Sequence, residues 1–599
     1  MVNVRRPHYL TLNYSTQKPT RHIFFDVETY AKSYDDKIKE QKVRLGYALY
    51  WRRRPERSDD TLLWSYFTDI DVFWHFVLSH VNDKETLYLV SHNITFDFMV
   101  CDGFNYLKLA GFELTSIYTK GMTVIIKMKK GKSKIVILNN TNWFQCKLET
   151  LGEAVGLKKL KVDFSEVSDE DLKVYCKRDV EILYKAWQTW YKFLDTHNLG
   201  CWSTTLPGQA FNAFRHRFMK HKLLVHCHEK ALKLERSSYH GGRSSVYFCG
   251  SLTNQKFYKL DINSAYPFAM MNTEVPIKFL FYTERITLQY LLDHLSSHAI
   301  IADVELDCDE NPFPVISDGH IVYPIKRFRT VLTTPELIYA AKRNWIKHVY
   351  CAAFYQKAII FKEYVEYFYK LKEQYRKDNN VAFYYLTKLL LNSLYGKFGQ
   401  TVSNFTPFCE VCEELKDVKA IIDTKTGKPI NLYQFGDTLW KEEKGSETSE
   451  SIPGIAAHIT ANTRLYLHNL RLIAGIEHCY YSDTDSLIVD ETGLKNLEPY
   501  LSQEKIGGLK IEAYAESVEI KAPKTYRFGD DWKRKGIPAS SEHVAENTWQ
   551  FDMFPSLRTL ARKPLKIPYW TRRTLRTLTY KVYDGIVTET GWIVPLQNI

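Results

Sequence analysis

The chain has 599 residues, with 81 Lys and Arg against 69 Asp and Glu, which gives a net charge of +12. This length predicts about three to five domains or subdomains, and a hydrophobic share of 45% without a continuous apolar stretch argues against a membrane-spanning protein. The basic excess is modest over this length and favours a polyanionic partner.

The cysteines and the first residues bear on the compartment. Eleven scattered cysteines predict reduced thiols, and the start MVNVRRPHYLTLNY lacks the apolar core of a secretion signal. The pair Cys409 and Cys412 has no second ligand pair nearby, which argues against zinc. We therefore expect an intracellular, soluble protein, located in a host cytoplasm or associated with an organelle or plasmid.

Acidic residues interrupt apolar segments in the first part of the chain. The segments are the predicted strand HIFFDVETY (22–30) with Asp26 and Glu28, the run YLVSHNITFDFMV (88–100) with Asp97, and the predicted helix 169–187 with Tyr175 and Asp179 on one face. A buried acid without a partner is costly. If the segments converge, their carboxylates can hold two divalent ions, and oxygen ligands favour Mg²⁺ or Mn²⁺.

This spacing resembles the three exonuclease motifs of proofreading DNA polymerases: DxE, Nx2FD and Yx3D. The resemblance implies that the four carboxylates are metal ligands and that Tyr175 orients the attacking water. It also implies that Thr29, Asn93 and Phe96 hold a single-stranded 3′ end, and a Phe ring can stack on any base. Cap and core roles are the alternative for Thr29 and Phe96.

A second group of acids lies further along the chain. KFYKLDINSAYPFAM (256–270) is predicted to begin as a strand that ends near Asp261 and to bend at Pro267. YYSDTDSLIVD (480–490) is predicted to form strand, tight turn and strand. Asp483 and Asp485 project to the same side of a pleated backbone, and Asp261 can share metals with them. A solvated Asp-rich turn is the alternative.

Residues 361–400 are predicted to form two helices joined at DNN. On the second helix Lys388, Asn392 and Tyr395 fall on one face, which is a poor core pattern and a suitable surface for triphosphate, sugar and base. On the first helix Lys372 and Arg376 can also meet phosphates, or they can form a solvated basic face.

DINSAYP, KLLLNSLYG and YSDTDS resemble the polymerase motifs of family B DNA polymerases, in the family's order. The resemblance implies that Asp261 and Asp485 bind the two catalytic metals with Asp483 assisting. It also implies that Lys388 neutralises triphosphate charge, that Tyr395 packs against the nascent base pair and that Arg376 joins the nucleotide site.

Tyr266 would exclude a ribose 2′-hydroxyl, selecting deoxynucleotides. Ala265 replaces the family's usual Leu, which leaves the chemistry untouched and can loosen this pocket.

Two further segments match DNA-binding motifs of the family. SSYHGGR (237–243) resembles the YxGG motif through Tyr239, Gly241 and Gly242. Paired glycines allow backbone to approach template phosphates closely, and a simple turn is the alternative. KAPKTYRF (521–528) resembles the KxY motif that grips the primer strand, through Lys524 and Tyr526.

The intervals between motifs resemble the protein-primed subgroup of phages, adenoviruses and linear plasmids. One strand-rich insertion precedes the helical hairpin, and a second contains the predicted β-hairpin 419–435 with Lys-Thr-Gly-Lys at its tip. In the subgroup the first contacts the priming protein and the second closes a ring around DNA. A Tx2AR-type motif implies DNA contacts for Thr460 and Arg464, with Thr463 departing from the pattern. Lys159 lies where the subgroup's exonuclease has a catalytic lysine.

The expected fold is α+β and multidomain, an RNase H-like exonuclease domain followed by a right-hand polymerase with two insertions. The implied divisions are 1–195 exonuclease, 196–272 connector and start of the palm, 273–355 first insertion, 356–400 fingers, 401–453 second insertion, 454–528 rest of the palm and 529–599 thumb.

The implied activity is DNA-directed DNA polymerisation with 3′–5′ proofreading, in replication of a linear viral or plasmid genome by protein priming with strand displacement. The expected cofactors are two Mg²⁺ or Mn²⁺ per site and no organic cofactor. The expected partners are DNA template and primer, dNTPs and a terminal priming protein, with no membrane and a monomeric chain. A polymerase with a nucleic-acid primer or none, a processing nuclease and an inactive scaffold remain alternatives.

Overall fold

The computed structural model of the chain describes residues 5–54, 59–164, 166–411, 419–424, 427–562, 565 and 567–599. Cys412 and residues 425–426, at the tip of the predicted β-hairpin, lie outside the described residues.

The N-terminal part combines strands with helices. Its elements are β1 (His8–Tyr9), β2 (Arg21–Ser33), β3 (Ile38–Arg52), β4 (Thr61–Phe67), α1 (Ile70–Ser79), β5 (Leu87–Ser91), α2 (Ile94–Val100), α3 (Gly103–Leu109), β6 (Glu113–Lys120), β7 (Thr123–Lys130), β8 (Ser133–Asn139), α4 (Leu148–Ala154) and α5 (Asp169–Thr196). The predicted strand 22–30 and helix 169–187 are confirmed, because they lie inside β2 and α5. Ser168 begins α5 by accepting a hydrogen bond from the Asp171 N–H.

The central part runs through the first strands of a second sheet to a helical hairpin. Its elements are α6 (Leu206–Ala213), β9 (Leu224–Val225), α7 (Glu229–Ser238), β10 (Ser244–Val246), β11 (Gly250–Ile262), α8 (Ala265–Asn272), β12 (Val275–Thr283), α9 (Leu288–His294), β13 (Ala299–Cys308), β14 (Val315–Ser317), β15 (His320–Val322), β16 (Lys326–Thr333), α10 (Thr334–Ala341), β17 (Ile346–Ala358), α11 (Lys362–Lys377), α12 (Val381–Ser393) and α13 (Tyr395–Phe398).

Two predicted turns in this part have different outcomes. The helical hairpin is confirmed: Asn379 has φ +52°, and the Asn380 side chain caps α12 by accepting from the Phe383 N–H. The predicted bend at Pro267 is wrong. The chain turns at Ser264, where φ is +56°, and Pro267 lies in the first turn of α8, where its missing N–H costs nothing.

The C-terminal part completes the sheets. Its elements are β18 (Thr401–Glu410), β19 (Ala420–Ile422), β20 (Pro429–Phe435), β21 (Thr438–Glu447), α14 (Pro453–Ala474), β22 (Cys479–Asp483), β23 (Ser486–Asp490), α15 (Glu491–Asn496), β24 (Leu509–Ala522), β25 (Thr525–Phe528), β26 (Asp531–Lys533), β27 (Glu542–Ala545), β28 (Thr548–Met553), α16 (Leu557–Arg562), β29 (Trp570–Thr577), β30 (Gly585–Val587) and β31 (Ile593–Pro595). The predicted strand, turn and strand at 480–490 and the hairpin strands within 419–435 are confirmed.

Two large sheets position the candidate sites. A ten-stranded sheet has the order β27-β28-β29-β3-β2-β5-β8-β7-β6, with β4 paired to β3, and β5 runs parallel to β2 and β8. A seven-stranded sheet has the order β10-β22-β23-β11-β24-β25-β26. The C-terminal strand β29 pairs with β3, so the segment predicted as a thumb contributes strands to the N-terminal sheet.

The two predicted insertions form sheets of their own. The first contains the order β12-β17-β13-β16, with the apolar sides of α9 and α10 packed on it. The second contains β18-β21-β20-β19 and contacts the N-terminal sheet through β6. A continuous buried core runs from α5 and α6 to α11 and α12, so the helical hairpin packs against the N-terminal part of the chain.

Candidate active sites

Four carboxyl groups meet where β2, α2 and α5 converge. Burial, and then the neighbouring carboxylates Asp97 and Asp179, raises the pKa of Asp26 well above its ordinary value. Burial, and then Asp179, raises the pKa of Glu28 to about 8. Burial also raises the pKa of Asp97 to about 7 and raises that of Asp179. The structure therefore brings the four predicted acids together, where their charges repel unless a cation or protons offset them.

Lys159 closes one side of this cluster. Its ammonium contacts Oδ2 of Asp179 and lies 4.0 Å from the centre of the Tyr175 ring. Oδ1 of Asp179 is buried and has no hydrogen-bond partner among the described residues. A buried carboxylate oxygen without a partner is a ligand that a divalent cation would take. The donor set, carboxylate oxygens throughout, fits Mg²⁺ or Mn²⁺.

Cys176 is a neighbour that sequence reasoning missed. Asp26, Glu28 and Cys176 each offer one ligand atom, and these three atoms lie within 4.8 Å of one another. The Cys176 Sγ is 3.6 Å from Oδ2 of Asp26. Burial raises the pKa of the Cys176 thiol well above its usual range, so it packs here as a neutral group. Its position between Tyr175 and Asp179 on the buried face of α5 was the available signal.

The residues predicted to hold a single strand lie around the same cluster. The Thr29 hydroxyl donates to Oε1 of Gln41 at 2.9 Å. Asn93 precedes α2, is exposed and makes no capping hydrogen bond through its side chain. Phe96 is half-buried, and its ring meets the Tyr569 ring edge-on at 5.1 Å between centroids. Sequence reasoning missed Tyr569, which comes from the other end of the chain and carries no motif.

The second carboxylate cluster is set by the register of the seven-stranded sheet. Asp261 on β11 pairs with Ser486 on β23, and Asp483 pairs with the same Ser486 across the β22–β23 turn. The Ile262 N–H donates to the carbonyl of Asp485 at 2.7 Å. Burial, and then the carboxylates of Asp261 and Asp483, raises the pKa of Asp485 to about 6. The three acids therefore meet, as the sequence predicted.

The turn between Asp483 and Asp485 is hydrogen-bonded to the YxGG-like segment. Thr484 has φ +63°, and its N–H donates to the carbonyl of Arg243 at 2.6 Å. A Cβ on Gly242 would lie 2.7 Å from Cγ2 of Thr484 and 2.8 Å from the Tyr266 hydroxyl, whereas a Cβ on Gly241 would meet open space. Gly242 therefore packs against this turn, whereas Gly241 is exposed and its neighbourhood is open.

Tyr239 is half-buried and packs against the helical hairpin. A Cβ on Gly399 would lie 2.5 Å from the Tyr239 ring, so the ring covers the end of the helical hairpin. Burial raises the pKa of the Tyr239 hydroxyl. This contact joins the YxGG-like segment to the hairpin.

Two lysines neutralise the second cluster. The Lys510 Nζ lies 2.9 Å from Oδ2 of Asp261, and the Lys524 Nζ lies 2.8 Å from Oδ1 of Asp483. Tyr526 is 4% exposed and its ring packs 5.0 Å from that of Tyr481, and its contact with a primer strand stays a prediction. Lys510 was missed, since only sheet register places it opposite Asp261.

The side chains predicted to bind a nucleotide line the space beside this cluster. The rings of Tyr266 and Tyr395 are stacked, 4.5 Å apart and 15° from parallel. Lys388 and Asn392 are exposed on α12, and the Asn392 amide donates to the Lys388 carbonyl at 3.1 Å. Tyr395 begins a separate short helix after an interruption of α12 at Leu394, whose backbone stays right-handed, so the three side chains keep one face.

Lys372 is more buried than the sequence suggested. It is 7% exposed, and its Nζ lies 3.4 Å from Oδ1 of Asn263 and from the Ser264 hydroxyl. Burial, with help from the cations Lys388 and Arg376, lowers its pKa to about 8. Oε1 of Glu373 lies 3.7 Å from this ammonium and offsets part of its charge. Arg376 is exposed and pairs with Glu373 at 2.5 Å.

The expected DNA contacts of Thr460 and Arg464 are corrected. Both are 1% exposed within α14. The Thr460 hydroxyl donates to the Ala457 carbonyl, and the Arg464 guanidinium donates to the carbonyls of His240 and Gly241 and to Glu336. Arg464 thus binds the YxGG-like loop from the protein interior, and its side chain is not accessible to DNA. Burial within α14, which a short motif does not report, explains the difference.

The family of the chain follows from a comparison with protein-family models. The model "DNA polymerase type B, organellar and viral" matches residues 118–462. The chain belongs to this family. The resemblance to family B polymerases is therefore confirmed.

Curated relatives of this type B polymerase chain are diverse. A "Probable DNA polymerase" of Neurospora intermedia is 26% identical over 375 residues, covering 60% of this chain and 37% of the relative. One of Ascobolus immersus is 28% identical over 401 residues, covering 63% and 32%. A "DNA-directed DNA polymerase" of Enterobacteria phage PRD1 is 23% identical over 391 residues, covering 62% and 63%. The chain thus spans from about a third to somewhat under two thirds of these relatives.

Solved structures establish the fold of this type B chain. Phi29 DNA polymerase complexed with primer-template DNA superimposes with a TM-score of 0.67 at 16% identity, covering 94% of this chain and 100% of that one. The same polymerase complexed with single-stranded DNA gives 0.67 at 18% identity, with the same coverage. The multidomain α and β fold is therefore shared. Within the described ranges, every helix is too short or too polar to cross a membrane.

Proposed function

We propose that the protein is a template-directed DNA polymerase with a 3′–5′ proofreading exonuclease, which works as a monomer on a linear viral or plasmid genome. One observation carries the proposal: the sheet register that brings Asp261 together with Asp483 and Asp485. These acids lie beside the cationic Lys372 and the stacked pair of Tyr266 and Tyr395, so carboxylates, cation and aromatic platform share one site.

The residues of the second cluster divide the work of nucleotide addition. Two divalent ions, when bound by Asp261, Asp483 and Asp485, would activate the primer 3′-hydroxyl and stabilise the leaving pyrophosphate. Lys388 and Lys372 offset the triphosphate charge from the helical hairpin, with Arg376 at its solvent edge. The Lys510 and Lys524 ammonium groups offset the charges of Asp261 and Asp483 until substrate and metal ions arrive.

Sugar and base are read by the aromatic pair. Tyr266 lies under the deoxyribose and excludes a 2′-hydroxyl, because its ring is fixed by stacking on Tyr395 and by the close approach of Gly242. Tyr395 packs against the nascent base pair, and Asn392 lines the same face.

The first cluster is proposed to remove misincorporated nucleotides. Asp26, Glu28, Asp97 and Asp179 would hold divalent ions that make hydroxide from water and stabilise the leaving oxygen. Tyr175 orients the attacking water, and Lys159 fixes Asp179 and the Tyr175 ring. Thr29, Asn93 and Phe96 hold the frayed 3′ end, where Phe96 stacks on a base.

We assign the subdomains along the chain as follows. They are 1–195 exonuclease, 196–272 connector and first palm segment, 273–355 first insertion, 356–400 fingers, 401–453 second insertion, 454–528 second palm segment and 529–599 thumb. Separate sheets for the two insertions support this division. So does the seven-stranded sheet, in which β10 and β11 of the first palm segment pair with β22, β23 and β24 of the second. The pairing of β29 with β3 makes thumb and exonuclease one continuous sheet.

Separated activities test the two sites. Asp485→Asn should abolish labelled dNTP incorporation on a primer–template and leave degradation of single strands intact, and Asp26→Asn should do the reverse. The activity that each variant retains shows that this variant is folded. Loss of both activities in either variant would refute two independent sites. Degradation without incorporation by the unmodified chain would favour a processing nuclease, and the absence of both would favour an inactive scaffold.

Priming by a protein hydroxyl is the finer part of the proposal. It is supported by the two inserted sheets in the positions where the protein-primed subgroup carries them. The test is incubation of the chain with labelled dNTP, Mg²⁺ and a candidate terminal protein. Nucleotide covalently attached to that protein would support the proposal. Incorporation only on a nucleic-acid primer, or without any primer, would replace it with the corresponding alternative.

A further inference from the structure

One face of the N-terminal sheet carries an open basic groove at a distance from both carboxylate clusters. The groove measures about 400 Å³. Its lining combines lysines with hydroxyl groups and one aromatic ring: Tyr88 on β5, Thr115 on β6, Lys127 and Lys129 on β7, Lys134 on β8, and Thr204.

The strand pairing explains why the three lysines share this face. Lys129 pairs with Lys134 across β7 and β8, and Lys127 pairs with Val136, which pairs with Tyr88 on β5. Paired residues on neighbouring strands point to the same side of a sheet, so the three ammonium groups are gathered over Val136 and Tyr88.

These three lysines form no ion pairs within the described ranges. Lys127, Lys129 and Lys134 are all exposed. Glu113 is the cross-strand neighbour of Lys129 on β6, without an ion pair between them. Like charges directly opposite each other destabilise a sheet. The arrangement is therefore unfavourable for the isolated chain, and a polyanion laid over it would relieve the repulsion.

The groove lies at the other end of the parallel strands from the first carboxylate cluster. Tyr88 pairs with His22 on β2, and Asp26 comes four residues later, about 13 Å along an extended strand. A strand end held at Asp26 therefore leaves the groove free for another stretch of nucleic acid.

We propose that this groove binds the phosphate backbone of a DNA strand outside the primer–template junction. The choice of DNA rests on the proposed function, and the binding chemistry rests on the groove itself. Unpaired ammonium groups meet phosphates, the Thr204 hydroxyl can donate to a phosphate oxygen, and the Tyr88 ring offers an apolar edge for a sugar or base. The contact is independent of sequence, and it tethers the enzyme to long DNA.

The salt dependence of DNA affinity tests the proposal. In the triple variant Lys127→Gln, Lys129→Gln, Lys134→Gln, the slope of log affinity against log salt for a long single strand should decrease by about two, since each phosphate contact contributes about 0.7. The matched control is Lys220→Gln, Lys230→Gln, Lys326→Gln. It removes the same charge from exposed lysines that are already paired, with Glu363, Glu284 and Asp309. The control should keep the slope of the unmodified chain.

Further measurements distinguish this inference from the proposed polymerase function. Incorporation on a short primer–template should be unchanged in the triple variant, and the triple Lys→Arg variant should restore the slope. Equal slopes for the triple variant and its control would overturn the groove proposal, as would an effect confined to short primer–templates. Absence of incorporation by the unmodified chain would instead refute the polymerase function and leave the groove measurement valid.

Discussion

The Arg464 guanidinium donates to Oε1 of Glu336 at 2.7 Å, and both side chains are 1% exposed. The pair joins α14 to α10 of the first inserted sheet. Arg464 also donates to the carbonyls of His240 and Gly241, so one buried cation fixes the inserted sheet and the YxGG-like loop to the same helix. Arg464, which the sequence motif predicted as a DNA contact, therefore stabilises the packing of these segments.

Breaking this pair should be costly. Arg464→Met leaves Glu336 buried without its partner, so we expect the free energy of unfolding to fall by about 3–5 kcal/mol. The control is Arg329→Met, which breaks an exposed bidentate pair with Asp303 and should cost at most about 1 kcal/mol. Denaturant unfolding measures both. Equal losses would contradict the burial of the Arg464 pair.

The two adjacent glycines should respond differently to alanine. In Gly242→Ala the new Cβ would clash with Thr484 and the Tyr266 hydroxyl. Under the proposed function, displacement of the turn that carries Asp483 and Asp485 should slow dNTP incorporation by about 10- to 100-fold. Gly241→Ala meets open space and should keep normal incorporation. Steady-state incorporation on a primer–template distinguishes them, and equal rates would show that the turn tolerates the displacement.

Lys159 should matter for degradation alone. Lys159→Met removes the ammonium that contacts Asp179 and lies over the Tyr175 ring, so we expect single-strand degradation to fall by about 100-fold or more. Lys161→Met, two residues away at an exposed side chain paired with Glu149, is the control and should behave normally. Hydrolysis of a labelled oligonucleotide measures the effect. Normal degradation by Lys159→Met would remove Lys159 from the site.

Sugar selection should depend on Tyr266. Tyr266→Val removes the ring that stacks on Tyr395 and opens space beneath the sugar, so ribonucleotide incorporation should rise relative to deoxyribonucleotide incorporation. The ratio of kcat/KM for the two substrates measures this selection. An unchanged ratio would assign the selection to another side chain.

The buried His22 should make stability depend on pH. Burial lowers its pKa to about 3, against about 6.5 in an unfolded chain. The unfolded state therefore binds a proton that the folded state does not between these values, and stability present above pH 6.5 is lost as pH falls toward 3. The slope of unfolding free energy against pH should decrease by about 1.4 kcal/mol per pH unit in His22→Phe.

Chemical unfolding between about pH 4 and pH 6 measures this slope. A His22→Phe slope equal to that of the unmodified chain would show that His22 binds its proton in the folded protein.

Local patterns in the sequence predicted much of the fold. The alternation around Asp26 and the spacing of Tyr175 and Asp179 predicted β2 and α5, because strand and helix periods are properties of neighbouring residues. The same holds for the turn at Thr484 and for the asparagines between α11 and α12. Family motifs extended this reasoning to the acids, which the fold then placed in two clusters.

The tertiary structure alone decided which distant residues meet and which side chains reach solvent. Sheet register placed Lys510 opposite Asp261, and the pairing of β29 with β3 brought Tyr569 onto Phe96. Packing buried Arg464, which the sequence assigned to DNA. Contacts between remote segments depend on how whole elements pack, and no short stretch of sequence carries that information.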